Sequence, residues 1–453
     1  MSKHTIVGTL GLEDYNLHCR RGEYLAVINF IKDDKWFDYG IEDIYRTLYR
    51  YGFQPSELGT DILMLASLVY AADTRISRAT ESQDRWSREI HLIAPVASPD
   101  IWKPATPLLE RMLHFLTGDF WTISFRERPR QFKTISKPVP PRLFSYPFNS
   151  LGLFSGGLDS LVDAINVLES GKTPILVSHS GDKQASAAQK ALTGNLKQHY
   201  GIKKLEHIRL SLTFPANLIA NMDGEISTRA RSFLFIAFGV FIGSSLLSKS
   251  ELRIPENGFI ALNVPLDKLR LGSLSTKTTH PFYLDSWNSV LSLLNSNTFV
   301  ANPYWNKTKG EMVESCKNLN LLQEIVANSV SCSSIAKARW KKMSPQHCGY
   351  CLPCIIRKAA LHKGLGIPDP TPYTVEDFAG KTLDSNGSEG EQVRSFQYAI
   401  DKIKNRPESA KIMIHKPGPL SQNFDKDELA DVYRRGMEEI YIILKNAKTA
   451  PLS

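Results

Sequence analysis

The stretch that decides the fold reads Leu151-Gly152-Leu153-Phe154-Ser155-Gly156-Gly157-Leu158-Asp159-Ser160. Its first four residues are mostly apolar and predict a buried strand, while the residues from Leu158 onward predict an amphipathic helix. The two glycines between them let the backbone approach an anion closely, so that successive N–H groups can point at phosphate oxygens. The positive end of the following helix lies at the same place. The stretch therefore predicts a phosphate-binding turn, whereas a bare pair of glycines would predict only an ordinary turn.

The polar side chains of this turn indicate what it does with phosphate. Ser155 and Ser160 can donate hydrogen bonds to a pyrophosphate, and Asp159 either orients the turn or reaches a magnesium ion that offsets the phosphate charge. No lysine follows the glycines, whereas a Walker loop needs one to hold the β and γ phosphates. We therefore expect ATP, bound with Mg²⁺, to be attacked at its α phosphorus, with pyrophosphate as the leaving group.

Strand-like and helix-like segments alternate on both sides of this turn, which predicts a doubly wound parallel α/β sheet with helices on both faces. The segments are 150–154, 158–169, 174–178, 183–200, 206–211, 228–247 and 258–263. Before them, apparent strands at 89–96 and 121–126 and helices at 41–52 and 107–117 predict a small α+β unit. The predicted organisation is an N-terminal α+β domain of unknown role (1–126), a proline-rich basic linker (127–149), the phosphate-binding domain (150–330), a four-cysteine segment (331–365) and a C-terminal helical region (366–453).

The length of 453 residues predicts a multi-domain protein. The composition, with 42% hydrophobic and 22% charged residues, lies near the average for soluble globular domains. The net charge of +9 suggests an anionic ligand or partner. Nucleic acid would also satisfy it, but we do not predict nucleic-acid binding. Residues 1–10 carry no secretory signal, and the most apolar stretch, 233–247, is short for a membrane span of about 20 residues. We expect a cytoplasmic protein with no membrane partner.

Four of the six cysteines fall within 23 residues, namely Cys332, Cys348, Cys351 and Cys354. Four thiolates can close a tetrahedral zinc shell with no open position, so the cluster predicts a structural Zn²⁺ site and catalysis elsewhere. An iron–sulfur cluster is the main alternative, and disulfides fit a cytoplasmic chain less well. His347 stands beside the cluster and is predicted not to be a ligand.

Two further segments carry cations that can bind phosphate or carboxylate. Arg229 and Arg231 open the apolar helix after the third strand, and a guanidinium can bind either anion in a bidentate way. Lys309 follows Thr308 at a predicted helix start and would neutralise a polyphosphate. The alternatives are an arginine at a solvent-exposed helix end and an ordinary surface lysine.

Taken together, these motifs resemble the PP-loop ATP pyrophosphatases, and over residues 150–365 they are most similar to the 7-cyano-7-deazaguanine synthases (QueC). The N-terminal unit, the turn Glu256-Asn257-Gly258 and the run 270–276 further resemble the QatC family, the QueC-like proteins of the Qat anti-phage defence systems. The resemblance implies catalytic roles for Asp159, Ser160, Arg231 and Lys309. The nucleotide-binding residues it implies are Ser155, Gly156, Gly157, Leu158, Asp159, Ser160, Ser178 and His179.

The reaction implied by the resemblance is adenylation of the carboxylate of 7-carboxy-7-deazaguanine, followed by displacement of AMP by an amine. In the synthases the amine is ammonia; here we expect an amine of a partner protein from the same defence system. Two departures make base recognition less transferable than ATP chemistry. Residues 179–184 differ from the synthases' Asp-Tyr-Gly-Gln type of motif, and residues 275–281 replace their substrate-binding stretch. A free 7-cyano-7-deazaguanine synthase that uses ammonia, a tRNA-modifying PP-loop enzyme and a catalytically idle scaffold remain alternatives.

Overall fold

The computed structural model describes residues 3–21, 23–137, 148–181, 183–220, 222–246, 248–266, 277–333, 335, 338–339, 342–366, 369–380 and 382–451. Most of the predicted linker (138–147) and the run 270–276 lie outside the described residues. No helix within the described ranges is both long and apolar enough to cross a membrane.

The N-terminal unit is built on a four-stranded sheet in the order β2-β1-β5-β6, with every pair parallel. Its strands are β1 (Lys3–Thr9), β2 (Ala26–Asn29), β5 (Glu89–Val96) and β6 (Phe120–Glu127), and a small hairpin of β3 (Ile31–Lys32) and β4 (Trp36–Phe37) lies beside them. Its helices are α1 (Gly11–Cys19), α2 (Ile41–Arg50), α3 (Glu57–Arg75), α4 (Arg78–Glu81), α5 (Pro99–Trp102) and α6 (Thr106–Thr117). The α+β prediction is therefore wrong: helical crossovers separate the strands, so the unit is parallel α/β.

The second sheet confirms the predicted parallel α/β layout, with the strand order β11-β10-β7-β8-β9. Its strands are β7 (Ser150–Leu153), β8 (Pro174–His179), β9 (Glu206–Leu210), β10 (Ser250–Arg253) and β11 (Thr298–Ala301). The helices between and after them are α7 (Leu158–Glu169), α8 (Lys183–Tyr200), α9 (Arg231–Gly243), α10 (Gly258–Ala261), α11 (Pro281–Leu293), α12 (Lys309–Glu314) and α13 (Leu319–Ile325). The chain runs outward from β7 to β9 and then returns to the other side of β7. The crevice beyond the carboxyl ends of β7 and β10 is thus the switch point where ligands bind in such sheets.

One predicted strand, 258–263, is wrong. The fourth strand of this sheet is β10, eight residues earlier, and residues 258–261 form the short helix α10. The side chain of Asn257 accepts a hydrogen bond from the Ile260 N–H and so starts a helix where hydrophobicity alone suggested a strand.

A single hydrophobic core joins the two sheets. Helix α3 of the N-terminal unit packs against α9 of the second sheet, and fifteen of the nineteen residues of α3 are buried. A helix that is buried on nearly all sides belongs to a shared core and not to the surface of a separate domain. The N-terminal unit is therefore packed against the phosphate-binding domain over a large apolar contact.

The C-terminal region forms a second core with the cysteine segment. Its helices are α14 (Leu352–Leu365), α15 (Glu391–Asn405), α16 (Ser409–Met413) and α17 (Lys426–Leu444), and its strands β12 (Thr382–Asp384) and β13 (Lys448–Ala450) pair in parallel. The helices agree with the helical region predicted at 366–453, and α17 contacts α10, α12 and α14. The region thus lies against the same side of the second sheet as the segment that carries Lys309.

A buried ion-pair network fixes the N-terminal unit to the segment before α9. Asp119 pairs with Arg88 at 2.7 Å and with Arg78 at 2.5 Å, and all three side chains are at most 3% exposed. Asp73 also forms ion pairs with both arginines through its Oδ1 atom. Its Oδ2 atom accepts a hydrogen bond from the Ala230 N–H at 2.7 Å. Since each charge is removed from water, each needs all of its partners.

We predict that Asp119→Asn lowers the free energy of unfolding by about 3 kcal/mol, because the buried guanidinium groups of Arg78 and Arg88 lose one of the two carboxylates that they share. Urea denaturation measures this value. The control is Asp100→Asn, which removes the exposed partner of Lys103 and should leave stability unchanged. Equal effects of the two variants would contradict the prediction.

Candidate functional site

The phosphate-binding turn has the backbone that its sequence predicts. Gly156 has φ +82°, and a Cβ there would lie 3.2 Å from the backbone nitrogen of Gln189, so only glycine fits without strain. Gly157 is the N-cap of α7 and offers no side chain to its first N–H groups, which helix geometry leaves without intrahelical acceptors. Ser155 is exposed, whereas Ser160 is buried and donates to the Gly157 carbonyl at 3.0 Å. The Gly157 N–H donates to the Ser155 hydroxyl at 3.2 Å, so the N–H groups that can be offered to a ligand at the carboxyl end of the central strand are those at the start of α7.

Asp159 is clamped between two other segments of the sheet. Its Oδ1 forms an ion pair with Lys309 Nζ at 2.6 Å, and its Oδ2 accepts hydrogen bonds from the backbone N–H and side-chain amide of Asn257, at 3.0 and 2.8 Å. Lys309 is only 6% exposed, so the surface-lysine alternative is wrong. The structure thus favours the orienting role for Asp159 over the metal-binding one.

Glu256 lies against the same carboxylate and is partly exposed. Burial and the neighbouring charge of Asp159 raise the pKa of Glu256 to about 8, and Lys309 offsets only part of this effect. A carboxyl group with this pKa is mostly protonated at neutral pH and can exchange a proton close to it. Sequence reasoning noted the turn at 256–258 but did not assign this side chain to the site.

The C-terminal region positions the helix that begins with Lys309. Glu439 of α17 is buried and accepts hydrogen bonds from the Thr308 hydroxyl and from the Gly310 N–H, the latter at 3.1 Å. Lys363 Nζ of α14 lies 2.9 Å from Glu439 Oε1 and balances the charge of this carboxylate. Thr308 itself forms a capping box with Glu311. The position of Lys309 therefore depends on Glu439, which lies more than a hundred positions later in the sequence.

The two residues predicted at the end of β8 have different surroundings. The Ser178 hydroxyl is fully buried and bonds to the Phe154 carbonyl and to His207 Nε2, at 2.5 and 2.8 Å, so it is used within the sheet. His179 is 4% exposed, and neither ring nitrogen has a hydrogen-bond partner. Its ring lies 6.0 Å from that of Tyr70 in the N-terminal unit. Burial, with a smaller contribution from Arg231, lowers the pKa of His179 to about 4, so the imidazole is neutral.

The two arginines before α9 are not equivalent. Arg229 stacks over Trp86 at 4.1 Å and donates to the Thr117 carbonyl at 2.9 Å, and burial lowers its pKa to about 10. It is part of the contact with the N-terminal unit. Arg231 is exposed and begins α9, close enough to His179 to influence it. Of these two arginines, Arg231 is the one that can contact a ligand in the crevice.

The four cysteine sulfur atoms meet as predicted, all within 4.8 Å of one another. Cys348 donates its N–H to the Cys332 sulfur, and Cys351 donates to the Cys348 sulfur. Hydrogen bonding with the other cysteines raises the pKa of Cys354, and burial adds to this, so the four thiols need a cation to ionise together. Such a buried set of four sulfur ligands fits a structural metal such as zinc. His347 accepts the Ser331 N–H at 3.1 Å and lies outside the set.

The cysteine cluster is directly connected to the phosphate-binding turn. Val330, two residues before Cys332, donates its N–H to the Gly156 carbonyl at 2.9 Å. Arg357 of α14 is fully buried and donates to the Ser329 hydroxyl and the Val326 carbonyl, both at 2.8 Å. A metal that fixes Cys332 would therefore also restrict the far side of the turn.

Mg²⁺ has less support from the side chains than zinc. In the described part of the chain, the four cysteines are the one group of three or more metal-ligating side chains close together, and Lys309 already occupies the Asp159 oxygen that a cation would take. The residues present do not form a dedicated Mg²⁺ site.

No protein-family model matches the chain, and no curated protein matches its sequence. The site is therefore defined by its own geometry. That geometry brings together the turn at 155–160, Asn257 and Lys309, and it places His179 and Arg231 beside the neighbouring strand.

We predict that the purified protein contains about one zinc ion per chain and that Cys351→Ser removes it, because three sulfurs do not close the buried shell. Elemental analysis measures the metal, and the melting temperature of the variant should fall. Cys19→Ser is the matched control, since Cys19 is exposed and outside the cluster. Iron with visible absorbance, or equal metal loss in both variants, would contradict the prediction.

Proposed function

We propose that this protein is an ATP-dependent carbon–nitrogen ligase of the PP-loop, QueC-like class. The observation that carries the proposal is the turn at 155–160, which combines a positive-φ glycine, an uncapped helix start and a buried Asp159–Lys309 pair at a topological switch point. No Walker lysine follows the glycines. These features suit the binding of a departing pyrophosphate better than the transfer of a γ phosphoryl group.

ATP binds in this proposal with its outer phosphates at the N–H groups of the turn. Developing charge on pyrophosphate is stabilised by those donors and by Lys309, which approaches from α12. The hydroxyl oxygens of Ser155 and Ser160 lie 3.3 Å apart. When ATP binds, the two hydroxyl groups donate to phosphate oxygens in place of their contact with each other. Arg231 contacts the carboxylate or the α phosphate from the side of α9. The substrate carboxylate attacks the α phosphorus, so an acyl adenylate and pyrophosphate form.

An amine then attacks the acyl carbon and AMP leaves. Adenylation makes this step feasible because AMP is a far better leaving group than hydroxide. The substrate proposed from the resemblance is a 7-carboxy-7-deazaguanine, and the acceptor is an amine of a partner protein within an anti-phage system. The exposed position of Arg231 and the contact of Tyr70 with His179 support a crevice that is walled partly by the N-terminal unit.

We predict that the protein with ATP and 7-carboxy-7-deazaguanine exchanges labelled pyrophosphate into ATP and, when ammonia or the partner is added, forms AMP and an amide. Lys309→Met should lower the exchange rate by about 100-fold or more, since it removes a donor to the transition-state charge. Pyrophosphate exchange, AMP release and product mass measure the two steps separately.

Lys172→Met is the control, because Lys172 is an exposed lysine in the turn before β8. It lies at the amino-terminal ends of the strands, whereas the crevice lies at their carboxyl ends. It should have wild-type activity. ADP as the main product would overturn the leaving-group assignment. Exchange that depends on tRNA in place of the deazapurine would favour the tRNA-modifying alternative.

A further inference from the structure

The C-terminal region carries a basic surface that the proposed function does not use. It consists of α15 with the residue after it (391–406) and of the end of α17 with β13 (441–451). These 27 residues contain six cations and two carboxylates, an excess of four positive charges in a chain whose net charge is +9. The six cations are all exposed, namely Arg394, Lys402, Lys404, Arg406, Lys445 and Lys448. A large part of the net charge therefore lies in this one surface.

An open hollow of about 390 Å³ lies within the basic surface, between α15, the end of α17 and β13. Gln397 bridges its two sides, because its Nε2 donates to the Ala447 carbonyl at 2.8 Å and its Oε1 accepts from the Thr449 hydroxyl at 2.7 Å. The charged residues that line the hollow are three cations and one carboxylate, namely Arg394, Lys445, Lys448 and Asp401. Within the described part of the chain, none of these three cations forms an ion pair. The hollow thus offers positive charge that the protein itself does not neutralise.

Two exposed tyrosines stand beside these cations. Tyr441 lines the hollow and is 38% exposed, and Lys404 Nζ lies 2.9 Å from the centroid of its ring. Tyr398 is 62% exposed, and the Arg394 guanidinium lies 4.5 Å from its ring centroid and donates to its hydroxyl at 3.0 Å. A cation over an aromatic ring is a favourable contact that leaves the exposed part of the ring open to a further planar group. Cations next to exposed aromatic rings are the means by which proteins bind single strands of nucleic acid.

The basic surface lies on the side of α17 that faces away from the crevice. Glu439 is buried against the start of α12, and Tyr441 follows two residues later, about 200° further around the helix. The hollow is therefore separated from Lys309 by the width of α17. Substitutions of its exposed residues should leave the crevice intact.

We propose that the basic surface binds single-stranded nucleic acid, with phosphates at Arg394, Lys445 and Lys448 and a base stacked on Tyr441. The net charge of the chain does not by itself indicate nucleic acid, whereas the placement of the tyrosines beside unpaired cations does. An acidic protein segment would satisfy the cations but would leave the exposed rings unused. A duplex would offer phosphates, but its bases are already stacked on one another. The proposal does not rest on the proposed function.

The test measures the fluorescence anisotropy of a labelled single-stranded oligonucleotide of mixed sequence, about 12 nucleotides long, as the full-length protein is added. Raising the salt from about 50 to about 200 mM should weaken binding by about 20-fold, because three phosphate contacts release their counterions. The duplex of the same sequence should bind about tenfold more weakly, since it has no free base to stack on Tyr441.

Two sets of variants separate charge from stacking. The double variant Lys445→Gln, Lys448→Gln should bind the strand about tenfold or more weakly and show a smaller salt dependence, because two phosphate contacts are lost. Its matched control is Lys203→Gln, Lys204→Gln, which removes the same charge from exposed positions between α8 and β9 and should bind like wild type. Tyr441→Ala should weaken binding by about tenfold, whereas Tyr441→Phe keeps the ring and should bind like wild type.

Wild-type binding by the Lys445→Gln, Lys448→Gln variant would overturn the proposal. An equal loss in the Lys203→Gln, Lys204→Gln control would also overturn it, since binding would then follow overall charge. If Tyr441→Ala binds like wild type and polyglutamate displaces the oligonucleotide at an equal concentration of charge, an acidic protein segment replaces nucleic acid as the partner. The binding measurement contains no ATP, so protein that binds the strand but exchanges no pyrophosphate would retain this proposal and overturn the proposed function.

Discussion

The ion pair between Asp159 and Lys309 is the interaction on which the site depends. A carboxylate that is almost removed from water must be paired and hydrogen-bonded, since an isolated buried charge is too costly to retain. Asp159, at the start of α7, meets this requirement with groups from two other segments, the loop after β10 and the start of α12. The pairing therefore fixes the relative positions of the phosphate-binding turn, the Glu256 backbone and the principal cation. It also explains why the charge of Asp159 is balanced without a metal ion.

The two terminal regions support this arrangement in the same physical way. Asp73 of the N-terminal unit accepts the Ala230 N–H just before α9, and Glu439 of the C-terminal region accepts the Gly310 N–H at the start of α12. Each is a buried carboxylate at the positive end of a helix, where a negative charge is stabilised. Each of these helices begins with a cation of the site, Arg231 or Lys309. Each terminal region thus holds the start of a helix that carries one of these two cations.

The sequence predicts those parts that depend on local chemistry. Strand β5 and helices α7 and α8 match their predicted bounds, and the four cysteines meet, because periodicity, glycine turns and short ligand spacing are encoded within a few residues. Long-range pairing is encoded differently. The residues around Glu439 in the sequence do not indicate its role, and only the packing of α17 shows that it is buried at the start of another helix. The α+β prediction fails for the same reason, since strand direction depends on which strands become neighbours.

The residues at 277–281 show why resemblance transfers the ATP chemistry more readily than the recognition of the base. They stand where the synthases have a substrate-binding stretch, yet Lys277 is 5% exposed, donates to the Phe115 carbonyl at 3.1 Å and lies 4.1 Å from that ring. His280 is fully buried with its ring 5.0 Å from the same phenylalanine. These two side chains serve the contact with α6 of the N-terminal unit and face no open crevice. Since these two side chains are used in that contact, groups near His179 and Arg231 would have to recognise the base in the proposed function.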